Sequence, residues 1–384
     1  MENQNLPIAS LISLRKTLHK YPEVSLDEKE TAKRIVSFLE NYPPDEIRTE
    51  VGETGILAIY KGQKLGKTVL FRCELDALPI EEINTFEHKS TIEGVSHKCG
   101  HDGHMAILCG LATQLHHQRP ETGNVVLLFQ PAEEDGRGAV RVYADPKFKS
   151  LKLDFVFALH NLPRYNQNQI VVKNNTFTCA VNSIIIKLKG RTSHAGEPEK
   201  GINPALALAE ITHEFQQHIQ ADITKDNFCL ISSIYIKMGK KAYGISAGAG
   251  ETHFTVRTDK NEQMKKIEAA LEDTARKIAK KHQLDCTIKW KQNFHANENN
   301  TEAVDYVRKA AASNNFDLLE KESPFTWGED FGIFTQEYAG AMFGLGAGTD
   351  TPALHNPDYD FPDAIIPTGV AIFHQIAKQI TDAH

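Results

Sequence analysis

A short run of the sequence, SHKCGHDGH at positions 96–104, brings four side chains capable of metal binding or acid–base chemistry close together. These are Cys99, His101, Asp102 and His104. Cysteine thiolate and histidine nitrogen are good ligands for zinc and related ions. Gly100 permits a tight turn that would direct Cys99 and His101 toward one site. The alternative interpretation is a histidine-rich helix start, and for an isolated Cys-x-His it is the commoner case.

Two adjacent glutamates, Glu133 and Glu134, directly follow the apolar run NVVLLFQ. Adjacent side chains point in different directions, so one carboxylate could bind a metal while the other faces the reacting water. Metal-assisted hydrolysis needs a general base of this kind. Taken alone, the pair could instead be an acidic helix start, which the helix dipole favours.

Three further candidates follow apolar segments. His160 ends FVFALH, His355 follows a glycine-rich loop, and Asp76 follows TVLFRCE. Each has an ordinary interpretation when taken alone, as a core histidine, a loop histidine and a turn aspartate. In a metal site, Asp76 could orient a ligand through a hydrogen bond.

Together these segments supply a mixed set of sulfur, nitrogen and oxygen ligands: Cys99, His101, Glu134, His160 and His355. Five ligands are too many for one tetrahedral ion that also holds a water. The set suits two ions that share a bridge, for which the Cys99 sulfur and a water are the candidates. A closed structural zinc site with four Cys or His ligands fits this composition poorly.

The segments that carry these residues predict an α/β fold. The apolar runs TVLFRCE, NVVLLFQ, FVFALH and AGAMFGLGAG read as buried strands, and helical patterns separate them. Strands that are apolar throughout favour a mainly parallel sheet with both faces covered. Ligands gather at the carboxyl ends of such strands, which is where each candidate lies.

Between 180 and 287 the pattern changes to alternating strands and two helices, typical of a compact α+β unit with one open sheet face. We therefore predict a catalytic metal-binding domain formed by 1–179 and 288–384. The segment 180–287 is predicted to be an inserted lid or dimerisation domain, since loops tolerate insertions.

Composition narrows the class of protein. A length of 384 residues favours two domains. The net charge of −7 argues against nucleic-acid binding, and no apolar run reaches the roughly 18–20 residues of a membrane span. The N-terminal sequence does not read as a secretion signal, and six scattered cysteines favour reduced thiols. We expect a cytoplasmic protein without nucleic-acid or membrane partners.

In these motifs the chain resembles the aminoacylase/carboxypeptidase family of two-metal peptidases. The most similar branch contains hippurate hydrolases, indoleacetyl-amino-acid hydrolases and N-acetyl-diaminopimelate deacetylases. The likeness runs nearly end to end, and SHKCGHDGHM together with GNVVLLFQPAEE is highly specific. The resemblance implies a di-metal exopeptidase-like catalytic domain. It also implies an amidohydrolase that cleaves N-acyl amino acids or dipeptides.

The resemblance also implies residue roles. The metal-ligand positions are matched by Cys99, His101, Glu134, His160 and His355. Glu133 matches the general base, Asp76 a supporting acid, and His194 in RTSHAGEP the histidine that stabilises the tetrahedral oxyanion. In such enzymes the two ions are usually zinc, manganese, cobalt or nickel.

Two further residues are candidates for substrate binding. Arg257 in FTVRT could hold a substrate carboxylate bidentately, although an exposed strand arginine is the commoner case. Asn203 stands where relatives commonly have aspartate, and Glu199 where they have histidine. Glu74 replaces a usual aspartate. The changes at Glu199 and Asn203, near His194, put the substrate preference in question. They also leave open the alternative that the protein binds a small molecule in a metal-dependent way without converting it.

Many relatives pair through the inserted domain, so a homodimer is expected. The heavily charged helical pattern at 262–283 is equally compatible with a monomer.

Overall fold

A computed structural model describes residues 6–382. Within them the chain forms ten helices and sixteen strands. The helices are α1 (Ile8–Lys20), α2 (Lys29–Leu39), α3 (His101–His117), α4 (Gly138–Ala144), α5 (Pro146–Lys149), α6 (Ala205–Gln216), α7 (Asn261–Lys281), α8 (Thr301–Ser313), α9 (Gly332–Glu337) and α10 (Ile366–Thr381). The strands are β1 (Glu46–Val51), β2 (Gly55–Lys61), β3 (Lys64–Glu74), β4 (Thr122–Gln130), β5 (Phe155–Pro163), β6 (Ile170–Val172), β7 (Asn175–Thr176), β8 (Ala180–Lys189), β9 (Ser193–His194), β10 (Cys229–Met238), β11 (Ile245–Ser246), β12 (Ala249–Thr258), β13 (Asp285–Phe294), β14 (Glu298–Asn299), β15 (Leu318–Glu320) and β16 (Ala339–Gly348). Within this described range, no helix combines the length and the apolar character needed to cross a bilayer.

The described chain divides into two compact units. The first comprises residues up to Phe177, then Asn297–Glu322, then Asp330 onward. The second comprises Thr178–Ala296 and Ser323–Glu329. It extends beyond the predicted end at 287 because β13 pairs with β8 and completes the sheet of this unit. The lid and dimerisation roles of this unit stay predictions.

The first unit is built on a mixed sheet of eight strands, in the order β1-β2-β4-β3-β5-β16-β6-β15 among the described residues. Its centre, β4-β3-β5-β16, is parallel throughout, which confirms the predicted α/β fold with a largely parallel sheet. The antiparallel pairs lie toward the edges, where β2 joins β4 and β6 joins β16. Central strands are apolar along their length because helices cover both faces.

Helix α3 positions the cysteine–histidine motif. Its sequence is apolar on nearly every side, and a helix of that kind is buried. Gly103 allows close packing, since a Cβ there would lie 2.3 Å from the ring of Phe361. Gly100 precedes the helix with a φ of 97°, a conformation that glycine adopts without strain. The start of α3 is therefore fixed against the sheet.

The second unit is an antiparallel sheet in the order β10-β12-β8-β13, with α6 and α7 packed on it. The strands β8, β10 and β12 and the helices α6 and α7 correspond to the alternating strands and two helices expected between 180 and 287. Strand β13 lies mostly beyond the predicted end of the insertion. The apolar face of β13 is short and only half-buried: Cys286, Ile288 and Trp290 pack on the core of this unit, whereas Lys289 and Lys291 are exposed.

A buried network of alternating charges joins α1 to the start of α3. His19 faces Asp102 through Nδ1 at 2.8 Å and Glu82 through Nε2 at 3.0 Å. Lys98 donates to Glu82 at 2.5 Å, and Arg15 lies 3.5 Å from Asp102. Burial would lower the pKa of His19, but its hydrogen bonds to the two carboxylates raise that pKa to about 9. The imidazolium form thus donates to both carboxylates.

This network predicts a pH-dependent contribution to stability. A pKa raised above the unfolded value of about 6.5 stabilises the fold fully below that pH, and the contribution disappears as pH rises through about 9. We expect His19→Gln to lower the free energy of unfolding of the metal-free protein by about 3 kcal/mol at pH 6 and by much less at pH 10. Urea unfolding at both pH values measures this. The control is His117→Gln, at an exposed histidine. An equal loss at both pH values for His19→Gln would contradict the charged assignment.

Candidate metal centre

The candidate residues of the first unit lie where its parallel strands end. Asp76 follows β3, Glu133 and Glu134 follow β4, and His160 lies near the end of β5. His355 lies in the loop after β16. Because these four strands are neighbours with one direction, their carboxyl ends meet at one edge of the sheet. Helix α3 adds Cys99 and His101 from its start.

Cys99, His101 and His160 form one group of potential ligands. One donor atom from each lies within 4.8 Å of the others, and Sγ of Cys99 is 3.5 Å from Nε2 of His160. All three side chains are buried. The turn at Gly100 makes the approach possible, because a Cβ at this position would lie 2.7 Å from Oδ1 of Asn161.

The two glutamates and His355 complete the cluster. Nε2 of His101 lies 3.8 Å from Oε2 of Glu133 and 3.9 Å from Oε1 of Glu134. Nε2 of His355 lies 3.7 Å from Oε2 of Glu134, and Cys99, Glu134 and His355 form a second group of potential ligands. His355 adopts a left-handed φ of 65° and is 51% exposed. The structure thus brings together all five predicted ligands and Glu133.

These spacings fit divalent ions. For metal–ligand bonds of about 2.0–2.3 Å at tetrahedral angles, neighbouring ligand atoms lie roughly 3.3–3.8 Å apart. The three nitrogen–oxygen separations of 3.7–3.9 Å are too long for hydrogen bonds but close to that spacing. The 3.5 Å contact between Sγ of Cys99 and Nε2 of His160 is within hydrogen-bond range for sulfur and also matches that spacing. Nε2 of His101 is buried and has no hydrogen-bond partner among the described residues. A cation would satisfy it.

The second nitrogen of each buried imidazole is already engaged. Nδ1 of His101 donates to the carbonyl oxygen of Asp76 at 2.8 Å, and the Asp76 carboxylate lies 3.4 Å away. Nδ1 of His160 donates to the carbonyl oxygen of Asn161 at 2.9 Å. In the neutral imidazoles these bonds leave Nε2 as the lone-pair nitrogen, and Nε2 faces the cluster in both cases.

The electrostatics of the cluster favour a cation. Burial would lower the pKa of His101, but Asp76, Glu74 and Glu134 raise that pKa to about 10. Burial lowers the pKa of His160 to about 3, which keeps this imidazole neutral. Burial and the two nearby glutamates raise the pKa of the Cys99 thiol. A coordinating ion would deprotonate that thiol, so the donor set and charge fit a divalent metal.

A buried ion-pair system that the sequence did not reveal surrounds Glu74. This glutamate contacts Arg72 and accepts from Nδ1 of His104 at 2.7 Å. Arg72 also donates to Asp330 at 2.6 Å. Glu74 therefore lies in a charge-balanced network that supports β3 and α3. An arginine inside an otherwise apolar strand was the one signal that pointed to such a network.

Asp102, a member of the cysteine–histidine motif, faces away from this cluster. Its carboxylate pairs with His19 instead, as described for the fold. Consecutive residues of a helix point in different directions, so the side chain of Asp102 faces away from that of its neighbour His101.

The remaining predicted site residues belong to the second unit. His194 is exposed in β9, and its Nδ1 accepts a hydrogen bond from the amide of Gly196 at 3.1 Å. Arg257 is half-buried in β12 and donates to the carbonyl oxygen of Thr326 at 2.6 Å. Asn203 bonds Ser246 at 3.0 Å and the amide of Ala205 at 2.8 Å.

The chain is similar in sequence and in fold to known proteins over nearly its whole length. The sequence model of peptidase family M20/M25/M40 matches residues 70–379. N-acetyldiaminopimelate deacetylase of Bacillus cytotoxicus is 28% identical over 97% of this chain and 98% of its own. N-acetylcysteine deacetylase of Bacillus subtilis is 28% identical over 96% of both chains. A dinuclear metal-binding M20 peptidase from Bacillus subtilis superposes with a TM-score of 0.83 at 26% identity, covering 98% of this chain and 99% of that one.

The cluster predicts a specific metal stoichiometry. We expect the metal-free protein to bind about two Zn²⁺ or Mn²⁺ ions per chain, measured by equilibrium dialysis and elemental analysis. Cys99→Ala should weaken binding by more than the roughly 10- to 100-fold that loss of an outer hydrogen-bond partner costs. Cys286→Ala, at a half-buried cysteine of the other unit, is the control and should keep both ions. Unchanged occupancy in Cys99→Ala would remove Cys99 from the ligand set.

Proposed function

Because this chain belongs to peptidase family M20/M25/M40, we propose that it is a metal-dependent amidohydrolase. Its substrates are N-acyl amino acids or related small amides and dipeptides. The observation that carries the proposal is the cluster at the strand ends, where a buried carboxylate, Glu133, lies beside five potential metal ligands. Water replaces the amine at the acyl carbon, so the C–N bond breaks and a carboxylate and a free amine result.

In this proposal the ions are held by Cys99, His101, Glu134, His160 and His355. When bound, such ions lower the pKa of water and polarise the amide carbonyl. Zinc, manganese, cobalt or nickel is the proposed metal. We also propose a cytoplasmic location, which the free thiols of all six cysteines support.

Glu133 is proposed to be the general base and acid. Its side chain is only 5% exposed, so its carboxylate lies in the shielded interior of the site. One carboxylate oxygen accepts a proton from the attacking water and then delivers it to the leaving nitrogen. Asp76 is proposed to support this step. Its carboxylate accepts from the amide of Glu134 at 3.0 Å and lies close to the His101 ring.

We further propose that the inserted unit serves as a lid. The hydrogen bond from Gly196 to Nδ1 of His194 favours the tautomer in which Nε2 carries the proton. That proton is then available to the tetrahedral oxyanion. Arg257 is proposed to bind a substrate carboxylate through the guanidinium nitrogens not used by Thr326. Asn203 is proposed to act on substrate through the loop it fastens to Ser246.

The names of the two deacetylases support an acetyl group on the acyl side of the substrate. The test is a panel of N-acetyl-, N-benzoyl- and indoleacetyl-amino acids and dipeptides with protein reconstituted with each metal. Turnover confined to one class identifies it. A protein that holds two ions and hydrolyses nothing on the panel would contradict the proposal as stated.

Removal of the proposed base tests the mechanism directly. Glu133→Gln should lower kcat by about 10²–10⁴-fold, because general acid–base catalysis contributes that much. Metal content and substrate affinity should stay near wild type, since the amide keeps the shape of the carboxylate. Asp135→Asn is the matched control, because Asp135 lies on the same loop and pairs with Arg137. Full turnover by Glu133→Gln would overturn the assignment, whereas binding without turnover in the wild type would favour the non-catalytic alternative.

We propose that the second unit also mediates a homodimer through β10, an edge strand of its sheet. This strand exposes large apolar side chains, with Ile234 at 61% and Ile236 at 56% exposed. The opposite edge, β13, carries Lys289 and Lys291 instead. Charged side chains protect an edge strand from pairing, and an apolar edge invites it.

The dimer proposal predicts that charges on β10 dissociate the protein. We expect the Ile234→Lys/Ile236→Lys double variant to sediment as a monomer at concentrations where the wild type is a dimer. Leu65→Lys, at a fully exposed leucine of the first unit, should leave the dimer intact. Sedimentation velocity measures both. A monomeric wild type, or an unaffected double variant, would rule out this interface.

A further inference from the structure

Glu28 is a buried carboxylate without a role in the proposed chemistry. In the sequence it belongs to the acidic start of α2, where the neighbouring Asp27 and Glu30 are exposed. Glu28 itself is fully buried. Burial of a carboxylate is unfavourable unless hydrogen bonds compensate for the lost water. Its partners should therefore show why this position requires an acid.

Three donors surround Glu28. The hydroxyl of Thr54 donates to Oε2 at 2.7 Å. The amide of Leu26 donates to Oε1 at 2.9 Å, and the amide of Ala132 donates to the same oxygen at 2.8 Å. Burial and the charge of Asp76 raise the pKa of Glu28, while its hydrogen bonds act in the opposite direction. One of these donors lies in the segment between β4 and α4.

That segment carries Glu133 and Glu134, and its backbone conformation is unusual. Ala132 has a φ of 49°, in the left-handed region that residues with a Cβ rarely adopt. Such a conformation persists only where the surroundings hold it. The carbonyl oxygen of Ala132 accepts from the amide of Gly138 at 2.8 Å, so both polar groups of this residue are fixed.

The amides on either side of Glu133 are thus held by two buried carboxylates. Glu28 accepts from Ala132, and Asp76 accepts from Glu134 at 3.0 Å. Ser25, in the same loop as Glu28, donates to the carboxylate of Asp76 at 2.8 Å. Rotation of the peptide at Ala132 would redirect the two side chains that follow it.

We propose that Glu28 is a positioning residue for the loop that carries the general base. It holds the left-handed peptide at Ala132, and through it directs Glu133 toward the substrate and Glu134 toward the metals. This inference rests on the function proposed for the site. Glu28 contacts neither metal nor substrate and acts through the backbone.

The test compares Glu28→Ala with Glu28→Gln in the full-length protein. The two readouts are the dissociation constant for Mn²⁺, from competition with a chelator, and the separate values of kcat and KM. We expect Glu28→Ala to weaken Mn²⁺ binding and lower kcat by about 10- to 100-fold, as loss of an outer partner does, with KM little changed. Glu28→Gln should retain most of both, because its amide oxygen can still accept from Ala132.

The matched control is Glu23→Ala. Glu23 lies in the same loop region and also accepts backbone amides, from Thr31 at 2.6 Å and Glu30 at 3.3 Å, but these belong to α2. This variant should lower thermal stability while leaving Mn²⁺ affinity and kcat near wild type. Equal losses in Glu23→Ala and Glu28→Ala would reduce Glu28 to a general stabilising residue and overturn the proposal.

A folded Glu28→Ala with wild-type Mn²⁺ affinity and kcat would also overturn it. If Glu28→Ala does not fold, Glu28→Asp takes its place. Its shorter side chain cannot reach both Thr54 and Ala132, so unchanged values there would be equally decisive. If the wild type hydrolyses no substrate, the proposed function fails, while the comparison of Mn²⁺ affinities still decides the role of Glu28.

Discussion

The candidate metal centre depends on several carboxylates that are buried close together, away from water. Glu74, Asp76 and Glu133 are all buried at or just beyond the ends of parallel strands, and Glu134 is nearly so. Carboxylates in such a position repel one another unless cations lie between them. Arg72 and His104 neutralise Glu74. The remaining charge surrounds His101 and Cys99, and divalent ions would balance it there.

The rest of the first unit holds that charge in place. Helix α3 supplies two potential ligands from a start fixed by Gly100 and by the close packing of Gly103 on Phe361. Backbone carbonyl oxygens orient the two buried imidazoles, so that the nitrogen facing the cluster is the one able to bind a metal. The loop after β4 is fastened from both sides of Glu133. Rigid support of this kind would keep the proposed base and the proposed metal ligands in place, without reorganisation during the reaction.

Much of this arrangement could be predicted from the sequence, for a physical reason. Apolar strands imply a parallel sheet, and parallel strands bring their carboxyl ends together, so residues such as His160 and Glu134 had to converge. The family model and the solved M20 peptidase confirm the family and the fold, whereas the roles of the individual side chains stay predictions. Glu28 and His19 could not be found in this way, because most of their partners, such as Ala132 and Asp102, lie far away in sequence. Strand β13 gives a weak sequence signal because its short apolar face is only half-buried and its other face carries Lys289 and Lys291.

The most direct test of the two-metal site is anomalous diffraction from crystals of the protein loaded with Mn²⁺ or Zn²⁺. We expect two peaks about 3.5–4 Å apart, as in other two-metal sites. Both peaks should lie within bonding distance of Cys99, and His101, Glu134, His160 and His355 should complete the two coordination shells. A single peak, or ions bound elsewhere while this cluster stays empty, would contradict the two-metal site on which the proposed hydrolysis depends.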